Sequence, residues 1–318
     1  MSDIFVSIRG RILLNAEALN MTESIGNYAK HRRVPIVIPE KEGFTTYFVP
    51  AVSGESIAHG FQKVLAEEAM RNSLPVCKLC EKGIFLKSTN KRVLNEAFGK
   101  IPEGDLETFI IQNCLVEDVG GFLYAEEENV KRTSNFQVGY MIPAKEAVQN
   151  VVVDPQLHSR YALGTPFVTR EQRGQMIYYV ELSSALYTFS FDLDTRYIGK
   201  PTFRYETINK EILDLFKRLK RIKVVLNALK IFLLEMPFGA KKTRFLPTGE
   251  WESLVIGISN DIWTVSSPFS INYVKNTLTK KERVSHDTEL FIYEKDKGSP
   301  EETIISAIEK AKQRVSGQ

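Results

Sequence analysis

An apolar repeat in the second half of the chain constrains the fold more than any other feature. Ile208, Ile212, Leu215, Leu219, Ile222, Leu226, Leu229 and Leu233 recur at alternating spacings of four and three residues. Lys217, Arg218, Lys220, Arg221 and Lys223 crowd the middle of the same stretch. That period marks one face of an α-helix and predicts a helix from about Thr207 to Met236, stopped by Pro237 and Gly239. Such a stripe has to be covered by a second layer. The basic residues read as its solvated face.

The flanking sequence supplies that layer. Ile4, Val6, Ile8, Gly10 and Ile12 alternate with Asp3, Phe5, Ser7, Arg9 and Arg11, the pattern of a half-buried strand. A hairpin turning at Glu40–Gly43 precedes a helix opening at Ser53, whose apolar face is Ile57, Phe61, Val64, Leu65 and Ala69. Val151–Tyr161, Met176–Asp194 and Trp251–Ser259 read as strands, and Pro300–Val315 as a closing amphipathic helix. Leu13–Arg33 is polar and weakly periodic, and reads as a long loop with at most one helical turn.

Residues 73–130 form a mixed insert with helices from about Lys91 to Phe98 and Leu106 to Cys114, broken at Gly120 and Gly121. Residues 161–175 are turn-rich and fit a hairpin tip. The order strand, helix, strands, helix, strand predicts one α+β domain over residues 1–318. Its core is an antiparallel sheet with two helices on one face, of the ferredoxin or RNA-recognition (RRM-like) kind. No aromatic RNA-stacking motif is visible on the strands, and no internal repeat.

With 43% hydrophobic and 25% charged residues the composition is that of a soluble globular protein. No signal peptide and no apolar run near the length of a membrane span occurs, so a cytoplasmic protein without membrane contact is expected. The net charge of +3 does not identify a partner, but its distribution is uneven. Residues 101–130 hold eight acidic and no basic side chains; residues 201–250 hold eleven Lys or Arg against five Asp or Glu. This permits a basic groove, or head-to-tail contact between unlike patches.

Cys77, Cys80 and Cys114 are the only cysteines. A Cys-x-x-Cys pair with a distant third cysteine is half of a structural zinc signature, with a His, Asp or Glu as fourth ligand; His59 is the nearest histidine in sequence. Buried free thiols, or a disulfide in a hyperthermophile, are the other readings.

Candidate binding residues lie at the ends of predicted elements. Asn27, Lys30, His31, Arg32 and Arg33 form one basic loop; Lys131 and Arg132, beside Ser134, form a second; Lys241, Lys242 and Arg244 form a third. Ser53, Gly54 and Glu55 open a helix whose free N–H groups suit a phosphate, or are an ordinary cap. His158 and Arg160 share a strand face; a half-buried structural histidine is the plainer reading of His158. Lysine and arginine neutralise phosphates without reading sequence. Nucleotide-binding, metalloprotease and hydrolase motifs are absent. The neighbours Lys30 and His31 are the one pair suited to metal-independent RNA cleavage.

The runs Ala18–Pro35 and Val49–His59 resemble the DevR-type CRISPR-associated family, and within it the repeating backbone subunit of archaeal type I-A Cascade, a RAMP-superfamily protein. Pro75–Cys77 with Cys80, Asn113–Tyr124, Val130–Ala144, His158–Arg160, Ser183–Phe191 and Gly239–Pro247 extend the match, which is weakest after about Trp263. The resemblance implies an RRM-like palm, a helical insert as fingers and a thumb hairpin, placed here at about 161–175. It implies a non-catalytic subunit that polymerises head to tail along the CRISPR RNA spacer, presents the guide to target DNA and joins other Cascade subunits in antiviral defence. The RNA groove would be lined by Asn27–Arg33, Ser53–Glu55, Lys131, Arg132, His158, Arg160 and Lys241–Arg244. Related type III subunits cleave target RNA with an aspartate after the first strand, whereas Ile12–Ile38 contains no Asp. The alternatives are a CRISPR RNA-processing endoribonuclease and a DNA-binding transcriptional regulator, the latter without a visible helix-turn-helix.

Overall fold

The elements in chain order are β1 (Phe5–Glu17), β2 (Met21–Ile25), β3 (Tyr28–His31), β4 (Arg33–Pro39), β5 (Phe44–Pro50), α1 (Gly54–Arg71), α2 (Lys91–Phe98), α3 (Leu106–Asn113), α4 (Leu115–Gly120), β6 (Phe122–Ala125), β7 (Asn129–Arg132), β8 (Phe136–Val138), β9 (Val152–Tyr161), β10 (Gln175–Asp194), α5 (Leu215–Glu235), β11 (Thr248–Ser259), α6 (Tyr273–Arg283), β12 (Thr288–Glu294) and α7 (Pro300–Ser316). This is a computed structural model that describes residues 2–126, 129–161, 175–284 and 286–317. Most of the expected thumb segment, 162–174, lies outside the described residues.

The alternating N-terminal segment becomes the centre of the sheet. β1 lies antiparallel between β10 and β11, and β12 extends the sheet beyond β11. The other edge of β10 is shared by β8, at Phe191–Leu193, and β9, at Gln175–Ser184. The palm is therefore the ferredoxin-like arrangement, with one helix crossing over after β1 and another after β10. One departure is that β3 joins β10 in parallel at Tyr179 and Val180, which makes the sheet mixed.

Ile4, Val6, Ile8, Phe189, Phe191, Leu193, Leu254, Ile256 and Ile258 bury one sheet face in a single core with Ile57, Phe61 and Leu65 of α1, Ile222, Leu226, Leu229 and Phe232 of α5, and Ile304 and Ile308 of α7. Over β11 and β12 the opposite face is closed by Trp263, Val265 and Tyr273. Along β1 it carries ion pairs: Arg9 grips Asp192 through two 2.7 Å bonds, and Arg11 pairs with Glu146 and donates to the Pro268 carbonyl. No described helix is long and apolar enough to cross a membrane.

Three expectations change. α5 begins at Leu215, because Asp214 caps it by accepting a 2.8 Å bond from the Lys217 amide, while Asn209 upstream takes a left-handed turn. Its basic face is only partly solvated: Lys217, Lys220 and Lys223 are exposed, whereas Arg218 and Arg221 are buried among backbone carbonyls and the carboxylates of Asp3 and Asp118. The polar segment after Ile12 is a continuation of β1 to Glu17 followed by β2 and β3, not a loop. Within the insert, α2 and α3 occupy the predicted stretches, and α6 and β12 are elements that the sequence pattern does not announce.

Candidate nucleic-acid interface

The proposed basic residues fall into two separated places. Lys131 is exposed on β7 and lines a cleft of about 570 Å³ with Phe5, Ser134, Asn135, Asp192 and Asp194. A second cleft, of about 400 Å³, is lined by Leu19, Asn20, Met21, Ser56, His59, Gly60 and Lys63 and by Pro237–Lys241. Phe5 opens β1 and Leu19 lies just past its far end at Glu17, so the two clefts sit at opposite ends of a strand on the order of 40 Å long at strand rise.

The second cleft forms because three backbones meet. α5 ends at Met236 in the left-handed conformation, and Pro237 forbids its continuation. Gly239 then has φ +87°, and the next amide, of Ala240, donates to the Leu19 carbonyl at 2.8 Å. Gly60 on α1 meets this loop so closely that a Cβ there would sit 2.7 Å from that of Phe238. Lys63 and Lys241 are exposed cations in its lining, and Arg244, three residues further along the loop, is also exposed. Lys242 is half-buried and donates to the Met236 carbonyl at 2.9 Å, so it caps α5; burial lowers its pKa. Burial and the charge of Lys63 lower the pKa of His59. Sequence reasoning misses Ser56, His59 and Lys63, although their spacing of three and four places them on one polar stripe of α1.

The basic loop splits by strand alternation. Asn27 is exposed at the β2–β3 turn and its side chain donates to the Ile177 carbonyl at 2.9 Å. Lys30 is half-exposed on β3, and its neighbour His31 points inward. His31 Nε2 lies 2.6 Å from Glu17 Oε1, which also accepts from the Tyr187 hydroxyl at 2.7 Å. Burial alone would lower the His31 pKa, but the hydrogen bond and charge of Glu17, the Arg32 carbonyl and Glu181 together raise it. His31 is thus an interior ion-pair partner rather than an RNA contact or a general base. Arg32 donates to Asn20 Oδ1 at 2.5 Å, and Arg33 pairs with Glu181 at 3.2 Å with half its side chain exposed.

Other expected contacts are also interior. Arg132 is buried and donates to Glu107 and Asp118 and to the carbonyls of Asp118, Tyr197 and Lys200. Ser53 is a true N-cap, but it is buried, as is Gly54, packed against the Val138 carbonyl; only Glu55 of the trio is exposed. The free helix end expected for a phosphate is covered by the 138–141 segment. Ser134 is half-buried and satisfies the backbone of Phe136. His158 stacks on Tyr178 and meets Phe245 edge-on at 5.2 Å, which fastens the 241–247 loop to the β9–β10 hairpin. The side chain of Arg160 lies outside the described residues.

Cys77, Cys80 and Cys114 are buried free thiols whose sulfurs lie within 4.8 Å of one another. Cys77 Sγ accepts the Cys80 amide at 3.5 Å, and hydrogen bonds from Cys114 and Cys80 lower its pKa. Glu117, one turn beyond Cys114, receives Cys80 Sγ and the Leu86 amide at 2.9 Å each on Oε1. His59 is not in this cluster; its ring packs on Phe85.

A family model described as CRISPR-associated negative auto-regulator DevR/Csa2 matches residues 8–278. The chain is 36% identical to "CRISPR-associated protein Cas7/Csa2 1" of Saccharolobus solfataricus, over 88% of this chain and 85% of that one. It is also 36% identical to the same organism's "CRISPR-associated aCascade subunit Cas7/Csa2 2", over 85% and 84%. A Methanocaldococcus jannaschii protein, "CRISPR-associated protein Cas7/Cst2/DevR", is 28% identical over 96% of this chain and all of its own length. Among solved structures, a chain of a CRISPR RNA-guided surveillance complex superposes with a TM-score of 0.50 over 98% of this chain and 99% of that one, at 11% identity, which supports the fold.

Proposed function

This chain belongs to the CRISPR-associated DevR/Csa2 family, and we propose that it is a non-catalytic backbone subunit that holds CRISPR RNA in a type I Cascade-like surveillance complex. The observation that carries this reading is the cleft between α1 and the 237–241 loop. Its lining holds the exposed cations Lys63 and Lys241, with Asn20, Ser56 and His59 beside apolar Leu19, Met21, Pro237 and Phe238, and exposed Arg244 follows on the same loop. Such a surface neutralises phosphates and reads no base. Asn27 and Lys30 extend it toward the β9–β10 hairpin. RNA processing by the Lys30–His31 pair is disfavoured because His31 is sealed against Glu17.

Polymerisation is supported by the β4–β5 hairpin. Val34, Ile36, Ile38, Tyr47 and Val49 pack against Val148 and Phe269, while Val37, Phe44 and Phe48 on the other face are 57%, 76% and 70% exposed. Exposed apolar surface of this kind marks a protein contact, here with the next copy or another subunit on the guide. Target DNA is engaged through that guide, in the cytoplasm.

The test is binding of purified protein to a labelled CRISPR RNA across a salt series, with RNA integrity followed on a gel. Intact RNA and a steep salt dependence support the reading. Lys63→Ala and Lys241→Ala should each reduce the log–log slope by about 0.7 for every phosphate that the substitution leaves unneutralised. Discrete cleavage products would establish the processing nuclease instead, and preferential binding of duplex DNA the regulator.

A further inference from the structure

We propose that Cys77, Cys80, Cys114 and Glu117 form a tetrahedral structural zinc site that ties the segment after α1 to the junction of α3 and α4. The geometry comes from two distant pieces of chain. Cys77 and Cys80 sit at a knuckle that closes in a short helical turn, Cys80–Lys82, ended by the left-handed Gly83. Cys114 is at once the C-cap of α3 and the N-cap of α4, and Glu117 stands one turn on, with its Oε1 2.9 Å from Cys80 Sγ. All four side chains are buried. The three sulfurs already lie within 4.8 Å of one another. A tetrahedral ion with Zn–S bonds of about 2.3 Å needs sulfurs roughly 3.8 Å apart, so closure requires movements on the order of 1 Å.

A second observation points to a ligand. Glu117 Oε2 is buried and has no hydrogen-bond partner, although Oε1 is doubly engaged by Cys80 Sγ and the Leu86 amide. An unpartnered buried carboxylate oxygen is costly, and a cation between it and the sulfurs removes that cost. Zinc fits the donors, three soft thiolates and one carboxylate at the closed, water-free site of a structural ion. The surroundings supply an outer shell: the Leu86 amide orients Glu117, the Cys80 amide donates to Cys77 Sγ, and Lys87 Nζ, held by the Gly120 carbonyl at 2.8 Å, adds positive charge beside the acidic set. Free thiols packed for apolar burial alone would not gather a carboxylate.

The test is metal analysis of the full chain purified without chelator, followed by exchange with cobalt. The proposal expects about one zinc per chain, released when a mercurial thiol reagent is added. With cobalt it expects thiolate-to-metal charge-transfer bands and the intense visible bands of a tetrahedral ion. Cys114→Ser should lose the metal. Glu117→Gln should weaken zinc binding at least tenfold, and Glu117→Cys should retain the ion with a stronger charge-transfer band, which keeps the test valid if a cysteine variant does not fold. Metal-free protein with three titratable thiols, or with one thiol and a disulfide, would overturn the site. An unchanged cobalt spectrum in Glu117→Gln would remove Glu117 as the fourth ligand.

Discussion

Arg132 offers the sharpest contrast between a residue read as an RNA contact and its place in the structure. Its guanidinium makes five hydrogen bonds: to Asp118 Oδ1 at 2.5 Å and the Asp118 carbonyl at 2.8 Å, to Glu107 Oε1 at 3.1 Å, and to the carbonyls of Tyr197 and Lys200 at 2.8 and 2.9 Å. In Arg132→Ala, Glu107 keeps the amides of Thr202 and Phe203, and Asp118 keeps Arg221 and the Gly199 amide. Both carboxylates nevertheless lose a buried countercharge, and three carbonyls lose a donor. Breaking a buried pair from one side typically costs about 3–5 kcal/mol, or roughly two to four decades in the unfolding equilibrium constant. Lys131→Ala, one residue away and exposed, should fall within about 0.5 kcal/mol of the parent. Urea denaturation of both variants, followed by fluorescence at fixed pH, measures the difference. Equal and small effects for the two, with Arg132→Ala instead weakening RNA binding, would refute the interior assignment.

The His31–Glu17 pair makes stability depend on pH. The folded His31 pKa is raised above its unfolded value near 6.5, so its contribution is fully present below pH 6.5 and is lost as pH rises through the folded pKa. Urea midpoints from about pH 5.5 to 9 should therefore fall in this window for the parent and flatten in His31→Gln; an unaltered slope would contradict the pairing. Gly60→Ala would force α1 and the Phe238 loop apart, and should cost about 1–3 kcal/mol. A stability within about 0.5 kcal/mol of the parent would show that the loop yields freely.

Elements whose chemistry is local are legible in the sequence. The Ile4–Ile12 alternation, the Ser53 cap with its apolar helical face and the Glu40–Gly43 turn are all present. The stripe places α5 but starts it too early, because Ile208 and Ile212 continue the period while Asp214, an N-cap signal, interrupts it. β2 and β3 are invisible in the sequence because they are short and β3 is anchored to β10, about 150 residues away, while β2 pairs with β3. The site is less legible than the fold. Charge marks Lys241 and Arg244 correctly as exposed, but nothing local distinguishes Lys131 from Arg132, or Lys30 from His31. Strand alternation turns one of each pair inward, and the carboxylates that receive them come from distant segments. Cys-x-x-Cys is evident; Glu117 is not, because its nearness to Cys80 exists only once α4 is folded.

The central claim is that copies of this chain assemble along a guide RNA. The most direct measurement is the mass of the protein–RNA complex, by light scattering, on spacer RNAs of increasing length at low salt. The account predicts intact RNA and a mass that rises in steps of one 36.2 kDa chain as the RNA lengthens. A mass that stays at one chain per RNA at every length would contradict it.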